Sequence, residues 1–296
     1  MTVPVHSPIV RLSDAIAASP FNMAPEKAAA LKADSRLEKF GLLISDDPGY
    51  SIRVDINTTE ATLPVFALEY LWCFSLMILA LSEEYAAVQH RGDSTFDWRE
   101  SPRVSEAIGL LNWAHARMNK GDRTPWPQGT LQPEKHPIHG SAAHAANEVF
   151  LCAIAWSIHH EIAHVRLGHG IETTYATQEE NQADEEATDW CFPAGLSDAV
   201  LTKRQLGMAV ALLAVQFLET PRGNDSKVSS HPPAVERIHR CFERAGVPMD
   251  GKVRAATAIA VQLQLANLGI DAVLEGDSWD DIMTGNLIAF ATAGRG

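Results

Sequence analysis

Apolar positions recur at helical spacing over most of this chain, and strand-like runs are confined to a short early stretch. Residues 1–40 read as short helices. The clearest is "APEKAAALKADSRLEKF", with Pro25 near its start and Ala, Leu, Glu and Lys following. "GLLIS" and "SIRVDIN" flank the turn signal "DDPGY" and predict a small antiparallel pair, to which "ATLPV" adds. From Pro64 the pattern is helical almost to the end, with helices predicted at 143–167, 177–190, 203–219, 234–244 and 253–268. "KGDRTPWPQGTLQPEKHPIHG" and "GNDSKVSSHPP" carry too much Pro and Gly punctuation for helix and are predicted loops. The expected fold class is mainly α (α+β), a helical domain with a small antiparallel sheet near the N-terminal third. One domain is expected over 1–296, its β-containing part at about 1–62 and its helical part at about 63–296.

One apolar stretch, "PVFALEYLWCFSLMILALSEE", raises the question of a membrane. Glu69 interrupts it and leaves Tyr70 to Leu81 as twelve uncharged residues, short of the ~20 that span a bilayer. A buried core helix is the expectation, with no membrane span. The N-terminus, with Asp14 and several prolines, lacks the unbroken apolar run of a signal peptide. Cys73, Cys152, Cys191 and Cys241 are widely spaced and form no C-x-x-C pair, so reduced, packed thiols are expected. A cytoplasmic location follows. The formal net charge of −13, from 24 basic and 37 acidic residues, repels phosphate backbones and argues against nucleic-acid binding.

Chemistry concentrates in "WSIHHEIAHVRLGHG". His160-Glu161-Ile162-Ala163-His164 matches H-E-x-x-H. On a helix, residues four apart share a face, so both imidazoles can converge on one ion while Glu161 reaches a water beside it. The apolar run "EVFLCAIAWSI" ahead of the motif buries it, and a purposeless buried histidine pair is costly. Catalytic zinc takes three protein ligands and an open fourth position. The metzincin pattern would place Gly at 167 and His at 170; the chain has Leu167 and Gly170, so that arrangement is excluded. Gly168 is expected to end the helix, leaving His169 as a surface or rim residue and His159 facing another side.

The third ligand is sought in "TQEENQADEEATDW", where Glu180 to Asp184 has the form E-x-x-A-D. On a second helix Glu180 can face the metal. Asp184, one turn on, can accept a hydrogen bond from the non-ligating N–H of a zinc histidine. Ala183 is small enough for close helix approach. Glu179, Glu185, Glu186 and Asp189 read as the solvated side.

H-E-x-x-H followed by E-x-x-A-D resembles the gluzincin-type zinc peptidases, whose further His-Pro and Arg-Ile elements match His231, Pro232, Arg237 and Ile238 in "SSHPPAVERIH". More specifically the chain resembles the Lit-type phage-exclusion peptidases of bacteria, through "SPFNMAPEK", "ALEYLWCFS", "EVFLCAIAW", "TQEENQAD" and "HPPAVERI" in order. The resemblance implies a zincin-like fold and a cytoplasmic Zn²⁺ endopeptidase that cleaves translation elongation factor Tu in abortive infection, prompted by a phage-derived peptide. It implies His160, His164 and Glu180 as ligands and Glu161 as general base. His231 becomes the oxyanion donor, with Asp184 and Arg237 in support. The early strands can offer an edge to an extended substrate, although the sequence does not place them beside the metal. Two other readings fit the residues: the same chemistry on another protein substrate, or a non-catalytic protein in which zinc staples two helices and His169 or His159 closes the fourth position.

Overall fold

The computed structural model describes residues 7–55, 57–92, 97–169, 176–218 and 234–292. Chain order begins with helices α1 (Ser13–Met23) and α2 (Ala28–Ala33), followed by strands β1 (Gly41–Ser45), β2 (Arg53–Asp55) and β3 (Glu60–Pro64). The long helices follow: α3 (Val65–Arg91), α4 (Pro102–Lys120), α5 (Ala142–Leu167), α6 (Ala176–Cys191), α7 (Asp198–Leu218), α8 (Ala234–Arg244), α9 (Lys252–Leu268) and α10 (Trp279–Thr292). The fold is mainly helical with one small sheet, as the pattern predicts. The "APEKAAALKADSRLEKF" segment is broken where a continuous helix is predicted. Asp34 ends α2 and accepts from the Arg36 backbone N–H, which starts a separate 3₁₀ turn. The "GNDSKVSSHPP" loop lies outside the described residues.

The sheet differs from the antiparallel pair expected. Its order is β1-β3-β2, with β3 central, parallel to β1 and antiparallel to β2. Asp55 explains the β2–β3 hairpin: its carboxylate accepts from the backbone N–H groups of Asn57 and Thr58, and its carbonyl accepts from Thr59. The "DDPGY" stretch does not return the chain directly. Gly49 takes φ +97°, its N–H bonds the Met118 carbonyl at the end of α4, and Pro48 packs near Gly121. Both β1 and β2 therefore become edges.

Helix α3 runs through the apolar stretch without a break at Glu69, and by length and composition it can cross a membrane. Here it is a buried core helix. The Glu69 carboxylate is buried against Arg117 of α4 at 2.8 Å, and the Trp72 indole N–H donates to Asn147 of α5 at 2.8 Å. These contacts satisfy one Glu69 oxygen and the Trp72 N–H, which would otherwise be costly to bury. Buried apolar residues from Ile9 to Phe290 form one cluster, with α5 packed against α1, α3, α6 and α7. The four cysteines are free and buried.

Helix α5 starts at Ser141, whose hydroxyl accepts from the His144 N–H, and stops at Gly168 with φ +70°. Its closest neighbour is α7. A Cβ on Gly207 would lie 2.4 Å from the Cys152 Cβ and 2.9 Å from the Ala153 nitrogen, so only glycine permits this approach. Glycine to alanine inside a helix normally stabilises by about 1 kcal/mol. Gly207→Ala is expected instead to lower the unfolding free energy by about 1–3 kcal/mol through overpacking. Chemical denaturation of the two proteins checks this, and a stabilised variant would contradict it.

Candidate metal centre

Each group reaches the centre from a regular helix. His160 and His164 lie one turn apart near the end of α5, and Glu180 projects from the first half of α6. Ala183, fully buried, follows Glu180 by one turn on α6, which packs against α5. The ligand atoms of His160, His164 and Glu180 all fall within 4.8 Å of one another. The two Nε2 atoms are 3.2 Å apart, and they lie 3.3 and 3.6 Å from the Glu180 oxygens. A tetrahedral zinc with bonds of 2.0–2.1 Å has ligand–ligand edges of about 3.3–3.4 Å. Two imidazole nitrogens and a carboxylate oxygen at these separations fit the ion in spacing and in donor type. They are also the group expected from the H-E-x-x-H and E-x-x-A-D motifs.

Around this trio the polar groups are ordered. Asp184 is fully buried, and its Oδ1 lies 2.9 Å from the His160 Nδ1. Arg237 of α8 donates to both Asp184 oxygens, at 2.6 and 2.8 Å, and its guanidinium lies over the Trp156 ring. Further bonds tie α8 to α6, from Arg240 to Asn181 and from Arg244 to Asp189. Burial alone would raise Asp184, but Arg237 and His160 outweigh it and hold the carboxyl well below the usual range. Burial likewise pulls His160 down, and the Asp184 and Glu180 carboxylates overcome it to hold that imidazole at about 9. His164 is lowered to about 4 by burial and by the neighbouring His160 charge.

Glu161 points to the other side of His160. Its carboxylate accepts from the Val54 backbone N–H at 2.8 Å, so the outer edge of β2 faces the centre. The sequence left the position of the sheet open; here β2 lies against α5. Burial pushes Glu161 up to about 7, opposed by the His160 charge and the Val54 bond. Beside the carboxylate opens a cavity of about 230 Å³, bordered by Tyr50, Ile52, Trp156, His160, Glu161 and Arg237.

The remaining histidines separate. His159 faces away, as expected: its Nε2 lies 2.9 Å from the Pro20 carbonyl and its ring stacks on Trp190. Burial lowers it to about 3. His169, expected as a surface or rim residue, is not at the surface. It is buried, with its Nδ1 2.9 Å from the His164 Nδ1 and its Nε2 3.1 Å from Gln182 Oε1. The left-handed turn at Gly168 does end the helix, but it reverses the chain so that the His169 N–H bonds the His164 carbonyl. No spacing rule pointed to Val54 or Gln182 as neighbours of the centre, and spacing raises His169 only as a ligand. His231 lies outside the described residues.

A family model described as peptidase U49 matches residues 62–257, which contain every group assembled above except Pro20, Tyr50, Ile52 and Val54. The cell death peptidase of Escherichia coli (strain K12) is 35% identical over 285 residues, covering 94% of this chain and 96% of that protein. No solved structure matches. With a family model over most of its length and a relative aligned nearly end to end, the chain belongs to the peptidase U49 family.

Proposed function

We propose that the chain is a zinc-dependent endopeptidase in which His160, His164 and Glu180 hold the ion and Glu161 is the general base. The observation that carries this reading is the convergence of three donor atoms at zinc-like spacing beside a half-buried carboxylate and an open cavity. Zinc at this position supplies Lewis acidity, polarising a carbonyl and easing deprotonation of a water. Glu161 takes the proton of the attacking water and returns it to the leaving amine. The Val54 N–H holds one carboxylate oxygen and leaves the other for the proton. Asp184 orients His160 from behind, and Arg237 keeps Asp184 ionised. His231 is proposed, from the family resemblance alone, as the donor to the developing oxyanion.

The staple reading needs a fourth protein ligand. Among the described residues, His159 is turned to Pro20 and His169 meets the His164 nitrogen remote from Glu180, so neither is aimed at that position. The cavity beside Glu161 is where an extended substrate segment is proposed to lie. The near end-to-end likeness to a cell death peptidase supports a role in cell death, and the resemblance in sequence makes that role a cytoplasmic one in phage exclusion. By the resemblance in sequence, the protein substrate is elongation factor Tu and the trigger a phage-derived peptide.

Gel analysis of purified elongation factor Tu, incubated with the zinc-loaded chain with and without the phage peptide, tests the substrate. A discrete cleavage is expected, and an intact substrate under both conditions would favour another protein target. Glu161→Gln is expected to keep one zinc and lose cleavage by at least about 10²-fold; cleavage at the parent rate would remove Glu161 as base. Arg237→Met leaves Asp184 buried without its cation, so unfolding free energy is expected to fall by about 3–5 kcal/mol. Denaturation curves that coincide with those of the parent protein would contradict the role given to that ion pair.

A further inference from the structure

We propose that His169 is a positioning residue that fixes the tautomer and orientation of His164, and that Gln182 fixes His169 in turn. The inference rests on the zinc peptidase reading and extends it to two residues that no motif marks.

The geometry begins at Gly168. Its φ of +70° reverses the chain immediately after α5, and the His169 N–H closes on the His164 carbonyl at 3.1 Å. The reversal stacks the rings edge to face, with centroids 5.0 Å apart. Two nitrogens, His164 Nδ1 and His169 Nδ1, then stand 2.9 Å apart, and a hydrogen must lie between them. Which ring carries it is decided at the far end of the relay. The His169 Nε2 lies 3.1 Å from Gln182 Oε1, an acceptor, so that nitrogen carries hydrogen and donates. The other ring nitrogen of His169, Nδ1, is then placed to accept from the His164 Nδ1–H. His164 therefore presents an unprotonated Nε2 toward His160 Nε2 and Glu180. The opposite set of tautomers would put a hydrogen at that nitrogen and block metal ligation there.

Helix α6 thus serves the centre three times within five residues. Glu180 faces both histidines, Gln182 holds the partner of His164, and Asp184 faces the far nitrogen of His160. The two histidines differ in their support. His160 has a carboxylate clamped by Arg237, whereas His164 has an imidazole that ends at a side-chain amide.

Zinc affinity by competition with a chromophoric chelator, and the visible spectrum of the cobalt-substituted chain, are measured without substrate. His169→Ala is expected to weaken zinc about 10–100-fold, with one metal per chain and the four-coordinate cobalt band intensity retained. His169→Asn, which keeps a short acceptor, is expected to recover part of the loss. Gln182→Leu, at the exposed end of the relay, gives a smaller loss and leaves the metal-free thermal midpoint unchanged, which keeps the test open should His169→Ala fold poorly. Zinc binding by both His169→Ala and Gln182→Leu within twofold of the parent would overturn this inference alone. A change in cobalt coordination number in His169→Ala would overturn it in favour of direct ligation. Absence of zinc binding in the unaltered chain would overturn the zinc reading itself.

Discussion

A carboxylate sealed in the interior, Asp184, organises the candidate centre. An isolated charge there would be far too costly, so its position is tolerable only with partners held in place. Arg237 of α8 supplies two hydrogen bonds, and His160 of α5 stands at 2.9 Å. Those contacts fix α6 against α5 on one side and α8 on the other. Glu180 sits one turn before Asp184 on the same face, so the clamp that satisfies Asp184 also delivers Glu180 to His160 and His164. Packing reinforces the same register: Trp156 lies beneath Arg237 while donating to Thr188 of α6.

The opposite side of the centre is governed by the backbone. Strand β2 pairs with β3 through one edge and turns the Val54 N–H toward Glu161 with the other. One element therefore orients the carboxylate and borders the cavity through Ile52 and Tyr50 just before it. The electrostatics of neighbouring residues diverge accordingly. His160, facing two carboxylates, is held near 9, whereas Glu161, desolvated and with one backbone donor, is raised to about 7. Adjacent positions on one helix acquire different chemistry from what each faces.

The helical periodicity and the two short motifs made much of this legible. H-E-x-x-H on an apolar helix and E-x-x-A-D on an acidic one foretold which side chains would meet, because i to i+4 spacing is a local rule. The strand pairing was not legible, since β1 and β2 flank an apparent hairpin turn whose Gly49 bonds instead to the end of α4. His169 was misjudged for a related reason. A glycine stop signals where a helix ends but not where the chain goes next, and here it turns back onto His164. Glu69 shows the same limit within α3: its charge read as an interruption, yet Arg117 from another helix absorbs it. Contacts set by tertiary placement escape a reading built on sequence neighbours.

Zinc-edge X-ray absorption of the metal-loaded chain tests the central claim most directly. The account predicts two imidazole nitrogens at about 2.0–2.1 Å and a carboxylate oxygen at about 2.0–2.2 Å, with no sulfur. A third imidazole, a thiolate, or a spectrum unaltered by Glu180→Ala would contradict it.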